Sequence, residues 1–90
     1  MEEIPRNFQL RSVEPEFIKW QGDWCLVGPV STLRLNSKVV VRKRDGTEAH
    51  CIVGKRLARR TVHRRPDSHL SRISPGEVVY VIVQIKHITS

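Results

Sequence analysis

The residues "SKVVVRKRDGTEAHCIVG" (37–54) constrain the fold more tightly than any other stretch of the chain. Asp45-Gly46 lies between two runs of β-forming residues, which is the composition of a hairpin turn. Two registers compete. A two-residue turn pairs Val41 with His50 and Arg42 with Ala49, mixing polar and apolar groups on both faces. A three-residue loop, Arg44-Asp45-Gly46 with Gly46 left-handed, pairs Val41 with Ala49, Val39 with Cys51 and Arg42 with Glu48. Val39, Val41, Ala49, Cys51 and Val53 then share one face, and Lys38, Val40, Arg42, Glu48 and His50 the other. A slip of one residue exchanges these sets, so burial selects the register. Only the bulged loop gives a clean core face, and it is the register predicted.

A second hairpin is expected in "EFIKWQGDWCLVGPV" (16–30), around Gln21-Gly22-Asp23. A three-residue loop sets Trp20 opposite Trp24 and Ile18 opposite Leu26. A two-residue loop at Gly22-Asp23 sets Trp20 opposite Cys25 and Lys19 opposite Leu26. The first groups the large apolar side chains and is preferred. Gly28-Pro29 should end this hairpin, because proline has no amide to give a central ladder. "RNFQLR" (6–11) alternates weakly enough to suggest a first strand. "ISPGEVVYVIVQIKHI" (73–88) reads as a turn and a long strand. Its apolar residues do not alternate over 78–83, which predicts burial on both faces.

These elements predict an all-β chain of one domain spanning residues 1–90, with room for one short helix. Five or six short strands, one buried on both sides, suggest a small barrel or roll. SH3-like and OB-like barrels are the natural comparisons on this pattern, with a long basic loop between the last two strands. Ninety residues close one small core. No stretch approaches the apolar length of a membrane span, and "MEEIPRNFQ" does not resemble a secretory signal. Cys25 and Cys51 are therefore expected as reduced, buried thiols in a cytoplasmic protein.

The net charge of +7 is concentrated. Residues 34–65 hold eleven basic and two acidic side chains, whereas residues 1–24 hold three and five. Such a field attracts nucleic-acid phosphates or acidic protein surfaces. "GKRLARRTVHRRPDSHLSRISPGE" (54–77) carries most of it, and 55–76 is expected as a basic loop or arm. Within it "KRLARRTVHRRP" fits either a short amphipathic helix stopped by Pro66 or an extended arm. Arg56, Arg59, Arg60, Arg64 and Arg65, with Lys55, are the candidate phosphate contacts. Guanidinium forks suit bidentate phosphate binding better than ammonium groups do. Arg42, Lys43 and Arg44 at the Asp-Gly turn would extend that surface.

The aromatic residues stand apart from this charge in the sequence. None lies between residues 25 and 79. Trp20 and Trp24 are accordingly assigned to the core or to a partner-facing anchor, not to base stacking. No Cys-x-x-Cys pair, compact histidine motif or phosphate-binding glycine loop is present, and the carboxylates are few and mostly N-terminal, so neither a metal, a cofactor nor an enzymatic activity is expected. The expectation is a small basic accessory protein that binds DNA or RNA through its phosphate backbone. The alternative is an adaptor or inhibitor, of the kind found in phages and mobile elements, that docks on an acidic protein surface.

Overall fold

The computed structural model describes residues 2–8, 14–64 and 76–89. It contains six strands: β1 (Glu2–Glu3), β2 (Glu16–Trp20), β3 (Asp23–Pro29), β4 (Lys38–Arg42), β5 (Glu48–Arg64) and β6 (Gly76–Thr89). They form one sheet in the order β1-β5-β6-β3-β2. β6 covers one edge of β5, while β4 and the parallel strand β1 share its other edge. The sheet curls into a half-barrel, and no helix occurs among the described residues.

The Asp-Gly hairpin has the expected register. Val39, Val41 and Arg42 pair with Cys51, Ala49 and Glu48. Gly46 adopts φ 88°, a conformation that side chains beyond glycine rarely take. The amide of Lys43 donates to the Thr47 carbonyl at 2.8 Å, and that of Gly46 to the Lys43 carbonyl at 3.1 Å. Asp45 locks the turn by accepting from the Thr47 hydroxyl at 2.6 Å and the Thr47 amide at 2.9 Å. Those bonds, the hydroxyl's first, hold the Asp45 carboxyl below its ordinary pKa.

The other hairpin corrects its prediction. β2 and β3 turn over two residues, Gln21 and Gly22, with φ of 50° and 88°. Positive φ at both central positions is the turn whose twist matches paired strands. Trp20 therefore faces Asp23, and Lys19 faces Trp24. Grouping the tryptophans misleads because both faces of this sheet are covered. Phe17 and Leu26 join one core, and Ile18, Trp20, Cys25 and Val27 join another. Trp20 is 8% exposed, Trp24 62%. β3 does end at Pro29.

The first core gathers Leu26, Leu33, Val39, Val41, Ala49, Cys51, Val53, Val81 and Val83. The second gathers Ile4, Trp20, Cys25, Val27, Ala58, Tyr80 and Ile82 on the opposite face. β6 lies between β5 and β3 and feeds alternate residues to each core, which is why its apolar run does not alternate. Cys25 and Cys51 are buried as expected, one in each core. Burial raises both thiol pKa values; Asp23 adds to the rise at Cys25, and Lys43 opposes it at Cys51.

The basic segment is where expectation and structure differ most. Residues 55–64 are neither helix nor arm; they continue β5 without interruption. The long apolar strand β6 supplies ladder partners as far as Arg64↔Gly76, and Leu57, Ala58 and Val62 contribute to the second core. Alternation along β5 turns Val53 to the first core and Ala58 to the second, and the ladder with β6 shifts register between Ile52 and Ala58. Residues 65–75, the rest of the predicted loop, lie outside the described residues. So do residues 9–11 of the expected first strand, and residues 6–8 form a turn and bend instead. The first strand is Glu2–Glu3, and the Ile4 amide beyond it donates to the Arg59 carbonyl at 3.0 Å.

Candidate nucleic-acid interface

Each basic residue takes its orientation from the strand that carries it. Val39 and Val41 point into the first core, so Arg42 at the end of β4 points out. Its cross-strand neighbour is Glu48, but no ion pair joins them. Arg44 stands exposed in the turn, with Lys43 half-buried at its base. Lys55 and Arg56 occupy the irregular part of β5, and both are exposed. Arg59 is exposed beside buried Ala58.

Arg60 behaves differently. It lies on the same face as Ala58 and is half-buried. Its Nη1 donates to the Pro5 carbonyl at 2.6 Å and its Nη2 to the Phe8 carbonyl at 3.0 Å. Two backbone acceptors thus engage a guanidinium that the sequence assigned to phosphate. Arg64 closes the β5 ladder opposite Gly76. Arg65 lies outside the described residues.

Of the two tryptophans, Trp20 is a core residue that packs on Phe8 with ring centroids 5.8 Å apart. Trp24 is the exposed one. Lys19, its cross-strand neighbour, places its ammonium 5.1 Å from the indole centroid. This contact follows only from the two-residue turn, so the three-residue register conceals Lys19 as a member of the site.

Two open grooves meet at Trp24. In the first, Phe17, Trp24, Ile85 and Ile88 supply apolar surface, with Arg42, Lys43 and Arg44 as cations and Glu16 as the acid. In the second, Trp24 and Ile85 continue toward Leu35 and Leu57, with Lys55 and Lys86 as cations and Asp23 as the acid. Lys86 is held by donating to Asn36 Oδ1 at 2.9 Å. Along the sequence, Trp24 lies far from the basic residues. The curl of the sheet brings it between two sets of them.

No group of three or more metal-ligating side chains occurs among the described residues. His50 and Cys51 are consecutive on β5, so one is exposed while the other is buried. No described helix is long and apolar enough to cross a membrane. The His63–Glu77 pair, at 3.4 Å, joins two exposed side chains across the β5–β6 ladder. Comparison of the chain with protein-family models, curated proteins and solved structures finds no match, so the meaning of this surface rests on its own residues.

Proposed function

We propose that this chain is a nucleic-acid-binding accessory protein that contacts the phosphate backbone, and not a catalyst. One observation carries the reading. Arg42, Arg44, Lys55, Arg56 and Arg59 are exposed on one hairpin, β4–β5, and none of them is neutralised by an ion pair among the described residues. Unpaired cations on a rigid ladder form a fixed positive field, and a polyanion is the ligand that field attracts. Arginine outnumbers lysine here, which favours phosphate geometry over a diffuse charge effect. Arg60 contributes less than the sequence suggests, because its donors are already engaged.

The test is fluorescence anisotropy with labelled single-stranded and duplex DNA and RNA at two salt concentrations. If about six phosphates are neutralised on duplex DNA, log affinity falls with log salt at a slope of roughly −5. No binding at low salt overturns the proposal. A saturable protein complex that survives high salt would favour docking on an acidic protein instead. The apolar residues Trp24, Leu35 and Ile88, exposed beside the cations, are the observation behind that second reading.

Two further expectations belong with this proposal. The curled sheet is proposed as a relative of the small SH3-like or OB-like barrels, on the support of its size and its central strand buried on both faces. The cytoplasm is the proposed compartment, in keeping with two buried free thiols.

A further inference from the structure

We infer that Trp24 is a base-stacking platform and that the two grooves meeting at it form a path for single-stranded nucleic acid. The inference rests on the nucleic-acid reading above and adds to it the strandedness of the ligand and the residue that reads it.

The argument begins with the position of the indole. From Cys25 to Pro29 every residue of β3 is buried, yet Trp24 at its start is 62% exposed. Burying a large apolar side chain is strongly favourable, so an exposed tryptophan leaves that gain to a ligand. The ring does not stand on an apolar patch alone. Arg42, Lys43 and Arg44 lie along one groove leading from it, and Lys55 and Lys86 along the other. Lys19 sits over the ring itself.

Cations on both sides of an exposed aromatic are the arrangement that single strands require. The backbone follows the charges while a base meets the π-face. In a duplex the base faces are already stacked on one another, so a flat indole finds no partner there. A peptide of acidic side chains alone would satisfy the cations and leave the ring uncovered. Glu16 and Asp23 are the acids that line the path among the described residues, and the basic residues on it outnumber them. In the bound state the base lies on the face opposite Lys19, whose ammonium is then free to meet the adjoining phosphate.

The experiment compares wild type, Trp24→Ala and Trp24→Phe against three labelled probes at low salt. The probes are a single-stranded oligonucleotide, an abasic oligonucleotide of equal length and a duplex. Circular dichroism confirms that the exposed-site variants keep the fold. Stacking of one base contributes about 1–3 kcal/mol, so Trp24→Ala should weaken single-strand binding by about 5- to 150-fold. Binding of the abasic strand and the duplex should hardly change, and Trp24→Phe should retain part of the single-strand affinity. Indole fluorescence should be quenched by the single strand and not by the abasic one.

The outcomes separate the two readings. If wild type binds all three probes and Trp24→Ala binds them equally well, the stacking inference is overturned and the phosphate-backbone reading stands. If Trp24→Ala weakens all three alike, Trp24 shapes the surface without reading bases, and the inference again fails. If wild type binds none of them, both readings fall. Binding of a poly-glutamate peptide that depends on Trp24 as strongly as the single strand does would reassign the path to a protein partner.

Discussion

Arg60 on β5 donates from Nη1 to the backbone carbonyl of Pro5 at 2.6 Å, tying the amino-terminal segment to a strand 55 residues further along the chain. Its second donor takes the Phe8 carbonyl at 3.0 Å, and Phe8 in turn packs on Trp20 at the edge of the second core. The guanidinium is thus a clamp between the chain's start and its longest strand. Replacing Arg60 by Ala should lower stability by about 1–2 kcal/mol, the range for charge-assisted hydrogen bonds at a half-buried site. Arg59→Ala, one residue away and exposed, should change it by less than about 0.5 kcal/mol. Urea unfolding of the two variants measures the difference, and equal midpoints would show that the clamp contributes nothing.

At Gly54 the backbone of β5 lies close against Gln84 of β6. A Cβ at this position would lie 3.0 Å from the Gln84 carbonyl oxygen and 3.2 Å from the Gln84 Cβ. Because the first of these is backbone, the ladder itself has to give by a few tenths of an ångström. Gly54→Ala should destabilise by about 1–3 kcal/mol, as overpacking does elsewhere. Gly76, whose added Cβ would meet nothing within 4 Å among the described residues, provides the control, and Gly76→Ala should be close to neutral. Thermal melts of both variants decide the point.

Adjacent residues of β6 should both behave as core. Ile82 belongs to the second cluster and Val83 to the first, and both are fully buried. Ile82→Ala should destabilise by about 2–5 kcal/mol, and Val83→Ala should also exceed about 1 kcal/mol. A strand with one wet face would make one of the two substitutions mild. Chemical denaturation of the pair would reveal such an asymmetry, and with it a failure of the two-core arrangement.

Alkaline pH should weaken the fold through its thiols. Burial raises the pKa of Cys25 and Cys51 in the folded state, so the unfolded chain loses these protons first. Their contribution is complete below the unfolded thiol pKa and is lost as pH climbs through the higher folded values. Stability should therefore be flat near neutrality and fall from about pH 8.5 upward. The Cys25→Ala/Cys51→Ala variant is expected to start from lower stability but to show a shallower decline. Denaturation midpoints from about pH 7 to about pH 10 give both slopes, and identical slopes would remove the thiols from the account.

The contrast between the two hairpins explains how much of the fold is legible. At residues 37–54 one strand face is apolar and the other polar, and the Asp45-Gly46 turn agrees with the pattern. Local and burial signals then select one register. At residues 16–30 both faces carry large apolar groups, so the pattern has no preferred side and the turn decides. Gln21 takes φ 50°, a conformation better suited to asparagine or glycine, and nothing in its identity advertises it. The burial of 78–83 is legible because an apolar run without alternation leaves neither side of the strand polar enough to face water.

The candidate site divides along the same line. The sequence by itself determined that the protein is built from strands, that the Asp-Gly hairpin pairs with a bulged register, and that positive charge accumulates between residues 34 and 65. These are local properties: periodicity, turn chemistry and composition act over a few residues. Only the tertiary structure decided that residues 55–64 form strand rather than a free arm, because their ladder partners come from β6, beyond residue 75. It also decided that Arg60 binds backbone and that Trp24 lies among the cations. Both facts depend on how a curled sheet brings distant segments together, and no spacing along the chain encodes that distance.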